Sequence, residues 1–194
     1  MLRKFGRDSN PMNKDMINVP NALTVVRILA VPFIIALLYF PAPTTCLVAT
    51  ILFLVAILTD LADGFWARRY NQVTNFGKFL DPLADKILIA SVLIMLVELN
   101  WIPAWIAIIV IVRELLVTGL RAIAADKGQV IAADKYGKMK TIMQSVALVP
   151  LIYHYPVLGI DAAKLGFVLL LVAVVLTLYS GWNYLYSFYR VWGD

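Results

Sequence analysis

Six apolar runs, separated by short polar stretches, divide this chain. The first, VPNALTVVRILAVPFIIALLYF, predicts a helix from Pro20 or Asn21 to about Phe40, ended by Pro41 and Pro43. The second covers about Thr44 to Arg69. The third starts near Asp81, with Pro82 in its first turn, and runs to Glu98. The fourth goes from Pro103 to about Ala125, the fifth from about Tyr136 to Tyr155, and the sixth from about Lys164 to Arg190. At ~20 residues a helix crosses ~30 Å of hydrocarbon, so each run is long enough to span a bilayer. The expected fold is an all-α integral membrane protein: a six-transmembrane-helix bundle with a polar cavity facing the cytoplasm. A basic interfacial segment, residues 1–20, precedes a single transmembrane domain, residues 21–194.

Composition supports this reading. Hydrophobic residues make up 62% of the 194 positions, where soluble domains sit near half. The net charge of +5 would suggest nucleic acid in a soluble chain. Here the basic residues lie between apolar runs, so lipid headgroups and phosphate-bearing substrates are the expected partners, and nucleic acid is not. Of the 17 lysines and arginines, all but Lys164 and Arg113 fall on one side of the six spans. The positive-inside rule makes that side cytoplasmic, with both termini on it. The first apolar run starts late and lacks a small-residue cleavage site, so no cleavable signal peptide is expected. The lone Cys46 is read as a packing residue. His154 and the tryptophans Trp101, Trp105 and Trp182 are read as an interfacial aromatic belt.

Four carboxylates stand out in this apolar setting. Asp60 and Asp63 are three apart, and Asp81 and Asp85 are four apart, so on helices each pair shares a face. Gly64, Arg68, Arg69 and Gly77 lie between the pairs and suit a turn joining two helices. The four acids are expected to converge where the second and third runs face each other. Bare anions there would repel and be costly to desolvate, so cations belong among them, with divalent metals the expected ones. A cation-transport site would also place acids in a membrane, and a non-catalytic scaffold would leave them unexplained.

The full pattern is D-x-x-D-G-x-x-A-R, eight residues, then G-x-x-x-D-x-x-x-D, matched by Asp60, Asp63, Gly64, Ala67, Arg68, Gly77, Asp81 and Asp85. It resembles the signature of the CDP-alcohol phosphotransferase family, integral membrane enzymes that displace CMP from a CDP-linked alcohol. The resemblance implies that Asp60, Asp63, Asp81 and Asp85 ligate two Mg²⁺ or Mn²⁺ ions and that Asp85 is also the general base. It implies that Asn21, Thr24, Asp60, Asp63, Gly64, Ala67, Arg68 and Thr74 bind the CDP-linked lipid, although Asn21 also suits a helix cap. Homodimers are common in the family, so a homodimer is expected.

A second polar set follows. Arg113 and Glu114 interrupt the fourth run, at a depth where a charge needs a partner or a cavity. Thr118 and Arg121 follow at helical spacing, and Lys138, Lys140 and Thr141 open the fifth run. Several cations and hydroxyls beside a metal site suit an anionic second substrate such as a phosphate monoester. The stretches VPNALTVVRILAVP, VRELLVTGLR and GKMKT resemble those of family members that use CDP-diacylglycerol and sn-glycerol 3-phosphate. That resemblance assigns Arg113, Thr118, Arg121, Lys135, Lys138, Lys140 and Thr141 to the acceptor and phosphate pocket. Inositol phosphate, serine or a second lipid are the alternative acceptors.

Overall fold

The computed structural model describes residues 19–69, 75–126 and 135–192, and the side chains of 24–59, 82–126 and 137–190. Among the described residues there are six helices and no strand: α1 (Val19–Tyr39), α2 (Pro43–Arg69), α3 (Asn75–Glu98), α4 (Ala104–Asp126), α5 (Lys135–Tyr153) and α6 (Ala162–Trp192). The proposed interfacial segment, residues 1–20, lies almost wholly outside them.

The ends of these helices have local causes. Pro43 opens α2, where a missing N–H costs nothing. Thr45 Oγ1 accepts the Ala42 amide at 2.9 Å, which satisfies a donor that the helix cannot. At the end of α3, Asn100 turns left-handed (φ 57°). Its amide reaches Val97 O at 2.9 Å and that of Trp101 reaches Leu96 O at 2.9 Å, so two orphan carbonyls are capped. Between α5 and α6 the chain reverses at Leu158 and Gly159, both at positive φ, flanked by paired Val157–Ile160 hydrogen bonds. Asp161 then caps α6, its Oδ1 accepting the Lys164 amide at 3.1 Å.

Two details depart from the expectation. The third helix starts at Asn75, six residues before Asp81, so Gly77 and Pro82 lie inside it. Gly64, Arg68 and Arg69 likewise lie within α2. None of these forms a turn; the connection is confined to residues 70–74. Glycine weakens a helix without breaking it, and a proline only forgoes one hydrogen bond when packing holds the flanking turns. Asn21 is likewise inside α1, which begins at Val19, and does not cap it.

Helices α1 and α2, α2 and α5, α5 and α6, α6 and α4, α4 and α3, and α3 and α1 pack on one another, closing a ring. Consecutive helices are therefore not always neighbours: among the described residues α2 and α3 share no extensive contact, nor do α4 and α5. The core is apolar, with Ile34, Phe53, Leu88, Leu96, Leu148 and Leu170 sealed from solvent, and the buried Cys46 packs there as expected. At Gly166 α6 comes so close to α5 that a Cβ would sit 2.7 Å from Leu151 Cγ. The outer surface is apolar too: Phe33, Leu115, Ile142 and Val175 are all exposed. Among the described residues, only Ala162–Arg190 is both long and apolar enough to cross a membrane; Thr24–Tyr39 and Pro43–Thr59 are shorter apolar helices.

Candidate active site

Among the described residues, most of the buried polar side chains gather in one half of the bundle, Thr50 near the start of α2 being an exception. They lie toward the end where α1, α3 and α5 begin and α2, α4 and α6 finish. Helix α1 supplies Thr24 and Arg27, one turn apart and both buried. The Arg27 side chain is 1% exposed. Its Nε donates to the Ala56 carbonyl of α2 at 3.2 Å, and its Nη1 donates to Asp85 Oδ1 of α3 at 3.0 Å. One guanidinium thus bridges two helices that, among the described residues, do not pack extensively on each other.

Asp85 is the candidate base, and its side chain is 45% exposed. It borders two cavities. One of about 300 Å³ lies between α2, α3 and α5 and is otherwise lined mainly by apolar side chains, among them Leu54, Leu58, Ile89 and Val146. The other, of about 290 Å³, lies between α3, α4 and α5 and brings Lys86, Glu114 and Gln144 to the same space. Thr141 lines both. Both cavities are walled mainly by apolar side chains, and Asp85 is the carboxylate that borders both, with Lys86, Glu114 and Gln144 at the second.

A second network spans α4, α5 and α6. Arg113 donates through Nη1 to Glu114 Oε1 at 3.2 Å and through Nη2 to Ser180 Oγ at 2.5 Å. The buried Lys140 forms an ion pair with the same Glu114 oxygen. Gly181 makes room for the arginine, since a Cβ there would lie 3.2 Å from Arg113 Cγ. Gln144 Nε2 donates to Thr177 Oγ1 at 3.0 Å. Glu114 thus gathers two of the cations expected at the acceptor pocket. The others are arranged differently: Arg121 lies over the Tyr184 ring at 5.4 Å, while Thr118 and Lys138 are exposed. Thr118 Oγ1 donates back to the Glu114 carbonyl at 2.6 Å, and Thr141 Oγ1 to that of Gly137 at 3.2 Å.

Asp60, Asp63, Gly64, Ala67 and Arg68 lie on the last turns of α2, and Asp81 lies on α3 one turn before Asp85. Their side chains, those of Asn21 and Lys135, and all of Thr74 are outside the described residues. Among the described residues no three His, Cys, Asp or Glu side chains cluster. The donor chemistry nevertheless fits a hard divalent ion: the motif offers carboxylate oxygens, and Asp85 opens on a cavity. Arg27 is the residue that sequence reasoning passed over. It groups by sequence with the basic residues of one membrane side, yet it stands within an apolar run, the signal that also marks Arg113.

An all-helical, apolar-skinned bundle with buried charge pairs and an internal carboxylate defines a membrane-associated helical protein with an internal polar site. Residues 17–179 match the model of the CDP-alcohol phosphatidyltransferase family, and the chain belongs to that family. It is 41% identical over 181 residues to the CDP-diacylglycerol–glycerol-3-phosphate 3-phosphatidyltransferase of Bacillus subtilis (strain 168), an alignment covering 87% of this chain and 94% of that protein. It is 40% identical over 172 residues to the protein of the same name from Escherichia coli (strain K12), covering 87% and 93%. The family's members are transferases that generally depend on divalent metal ions.

Proposed function

We propose that this protein transfers the phosphatidyl group of CDP-diacylglycerol to sn-glycerol 3-phosphate, giving phosphatidylglycerophosphate and CMP. The supporting observation is the placement of Asp85 at the edge of two mainly apolar cavities, the second of which also takes Lys86, Glu114 and Gln144. A lipid donor needs apolar walls beside the reacting carboxylate, and an anionic acceptor needs charged groups within reach of it. The second cavity, of about 290 Å³, has room for a three-carbon phosphate monoester. The names borne by relatives at about 40% identity point to the same pair of substrates.

In this reading the six helices span the cytoplasmic membrane as one transmembrane domain. Both termini and the site face the cytoplasm, and two copies form a homodimer. Asp60, Asp63, Asp81 and Asp85 would hold two Mg²⁺ or Mn²⁺ ions, which offset the charge of the diphosphate when bound. Asn21, Thr24, Gly64, Ala67, Arg68 and Thr74, with Asp60 and Asp63, receive the CDP end. Arg113, Thr118, Arg121, Lys135, Lys138, Lys140 and Thr141 serve the acceptor side. The Asp85 carboxylate takes the proton of the acceptor's 1-hydroxyl. That oxygen forms its bond to the β-phosphorus, and the bond from this phosphorus to the bridging oxygen breaks, so that CMP departs with that oxygen.

The test is an acceptor panel. Purified protein is given CDP-diacylglycerol, Mg²⁺ and, separately, glycerol 3-phosphate, inositol phosphate or serine, and CMP release is measured. Release with glycerol 3-phosphate alone is the expected result. Release with another acceptor reassigns the substrate. No release with any acceptor, together with ion flux in proteoliposomes, replaces the proposal with a transporter.

A further inference from the structure

We propose that Arg27 is a positioning residue that sets Asp85 at a fixed distance from the α2 end of the aspartate motif. The inference rests on the reading of Asp85 as the base. An arginine that only anchors a helix at an interface extends its head toward water. Arg27 does the reverse: its side chain is sealed, and two of its nitrogens are spent on Ala56 O and Asp85 Oδ1. Burying a guanidinium is costly unless its partners are well placed. Those partners are specific in position. In helical register the Ala56 carbonyl is the acceptor for the amide four residues on, that of Asp60. The same rigid plane that touches the turn leading into Asp60 therefore also grips the carboxylate of Asp85.

Among the described residues α2 and α3 do not pack extensively on each other; α1 packs extensively on both, whereas α5 packs on α2 and only lightly on α3. The spacing between the two halves of the motif is thus held chiefly through α1, and at the level of Asp85 through Arg27. Lysine cannot replace it fully, because a single ammonium lacks the planar fork that reaches two helices at once. Misplacing a reacting group by ~1 Å costs on the order of 100-fold in rate, so a loosened Asp85 should show up in turnover.

The experiment compares wild type with Arg27→Gln and Arg27→Lys by two measurements. The first is CMP release at varied concentrations of both substrates. The second is the distance distribution between spin labels on Val48→Cys of α2 and Leu83→Cys of α3, in a Cys46→Ala background without metal; both labelled positions are exposed. The expected result is a kcat lower by about 100-fold for Arg27→Gln and about 10-fold for Arg27→Lys, with each KM within about 3-fold. The α2–α3 distance distribution should broaden in Arg27→Gln. If the glutamine variant does not fold, the lysine variant carries both measurements. Wild-type kcat in the folded variants, a change confined to KM, or an unchanged distance distribution overturns the proposal. If wild type itself releases no CMP, the functional reading fails, and the spin-label distances still decide whether Arg27 sets the spacing.

Discussion

Lys140 and Glu114 form an ion pair between two helices, α5 and α4, that share no extensive contact of their own among the described residues. Lys140 is 3% exposed, and Glu114 also accepts from Arg113. Removing one member of a buried pair leaves the other charge stranded, a loss of about 3–5 kcal/mol. Glu114→Gln should therefore lower thermal stability sharply, because two cations lose their counter-charge at once. Adding Lys140→Met should restore much of that loss. Melting curves of the detergent-solubilised single and double variants check this; a double variant no more stable than Glu114→Gln refutes the pairing.

Asp85→Asn keeps the size of the side chain and a neutral oxygen for Arg27, and removes the base. General-base catalysis contributes about 10²–10⁴-fold, so CMP release should fall by at least two orders of magnitude. Binding of a fluorescent CDP-diacylglycerol analogue should change little. If binding and turnover fall together, the carboxylate serves as a ligand only.

Removal of divalent ions bears on the same site from the other side. A diphosphate donor facing uncompensated carboxylates is repelled. Chelation should stop CMP release, and Mg²⁺ or Mn²⁺ should restore it, whereas Ca²⁺, with its longer and looser coordination, should restore it poorly. Stopped-assay measurements with each ion in turn settle this, and activity that survives exhaustive chelation excludes a metal role for the aspartate quartet.

How much of this was legible in the sequence follows from which interactions are local. The helix boundaries around Pro43, Asn100 and Asp161 depend on capping within a few residues, and the expected ends at Phe40 and Glu98 fall within one residue of those found. The D-x-x-D and D-x-x-x-D spacings are equally local. Helix α3 starts earlier than its local signals imply, because Gly77 reads as a turn residue and Pro82 as a first-turn residue, and the surrounding helix overrides both. The role of Arg27 was hidden for a different reason. It depends on α1 lying between α2 and α3, a ring order that no stretch of chain encodes alone. The same holds for Ser180 and Gln144: each looks like a lone polar residue in an apolar run until Arg113 or Thr177 is set against it.

Gly166 tests how closely α5 and α6 must approach. A methyl group there would meet Leu151 Cγ at 2.7 Å, but also Leu151 N at 2.9 Å and Ala147 O at 3.0 Å. The side chain can move and the backbone cannot without parting the helices. Gly166→Ala should therefore cost about 1–3 kcal/mol through overpacking. Adding Leu151→Ala should not recover the loss, since two of the three clashes remain and a cavity is added. Recovery in the double variant, read from thermal unfolding, shows instead that only the leucine tip was in the way.

At the opposite end of the bundle Asp161 supplies a pH-dependent contribution. The Lys164 amide that it caps, and then the Lys164 ammonium at 3.2 Å, hold its carboxyl below the ordinary value of 3.8. A carboxylate with a depressed pKa in the folded state stabilises the fold above its unfolded value, and that contribution disappears as pH falls through the folded value. The unfolded chain takes up the proton first, so stability should decline from about pH 4 downward. Asp161→Asn keeps a good cap and removes the charge. It should melt below wild type at pH 6, and the gap should close as the pH is lowered past 3.8. Melting temperatures of the two proteins in parallel across pH 6 to pH 3 measure the effect, and a gap that stays constant over that range means the charge of Asp161 contributes nothing to α6.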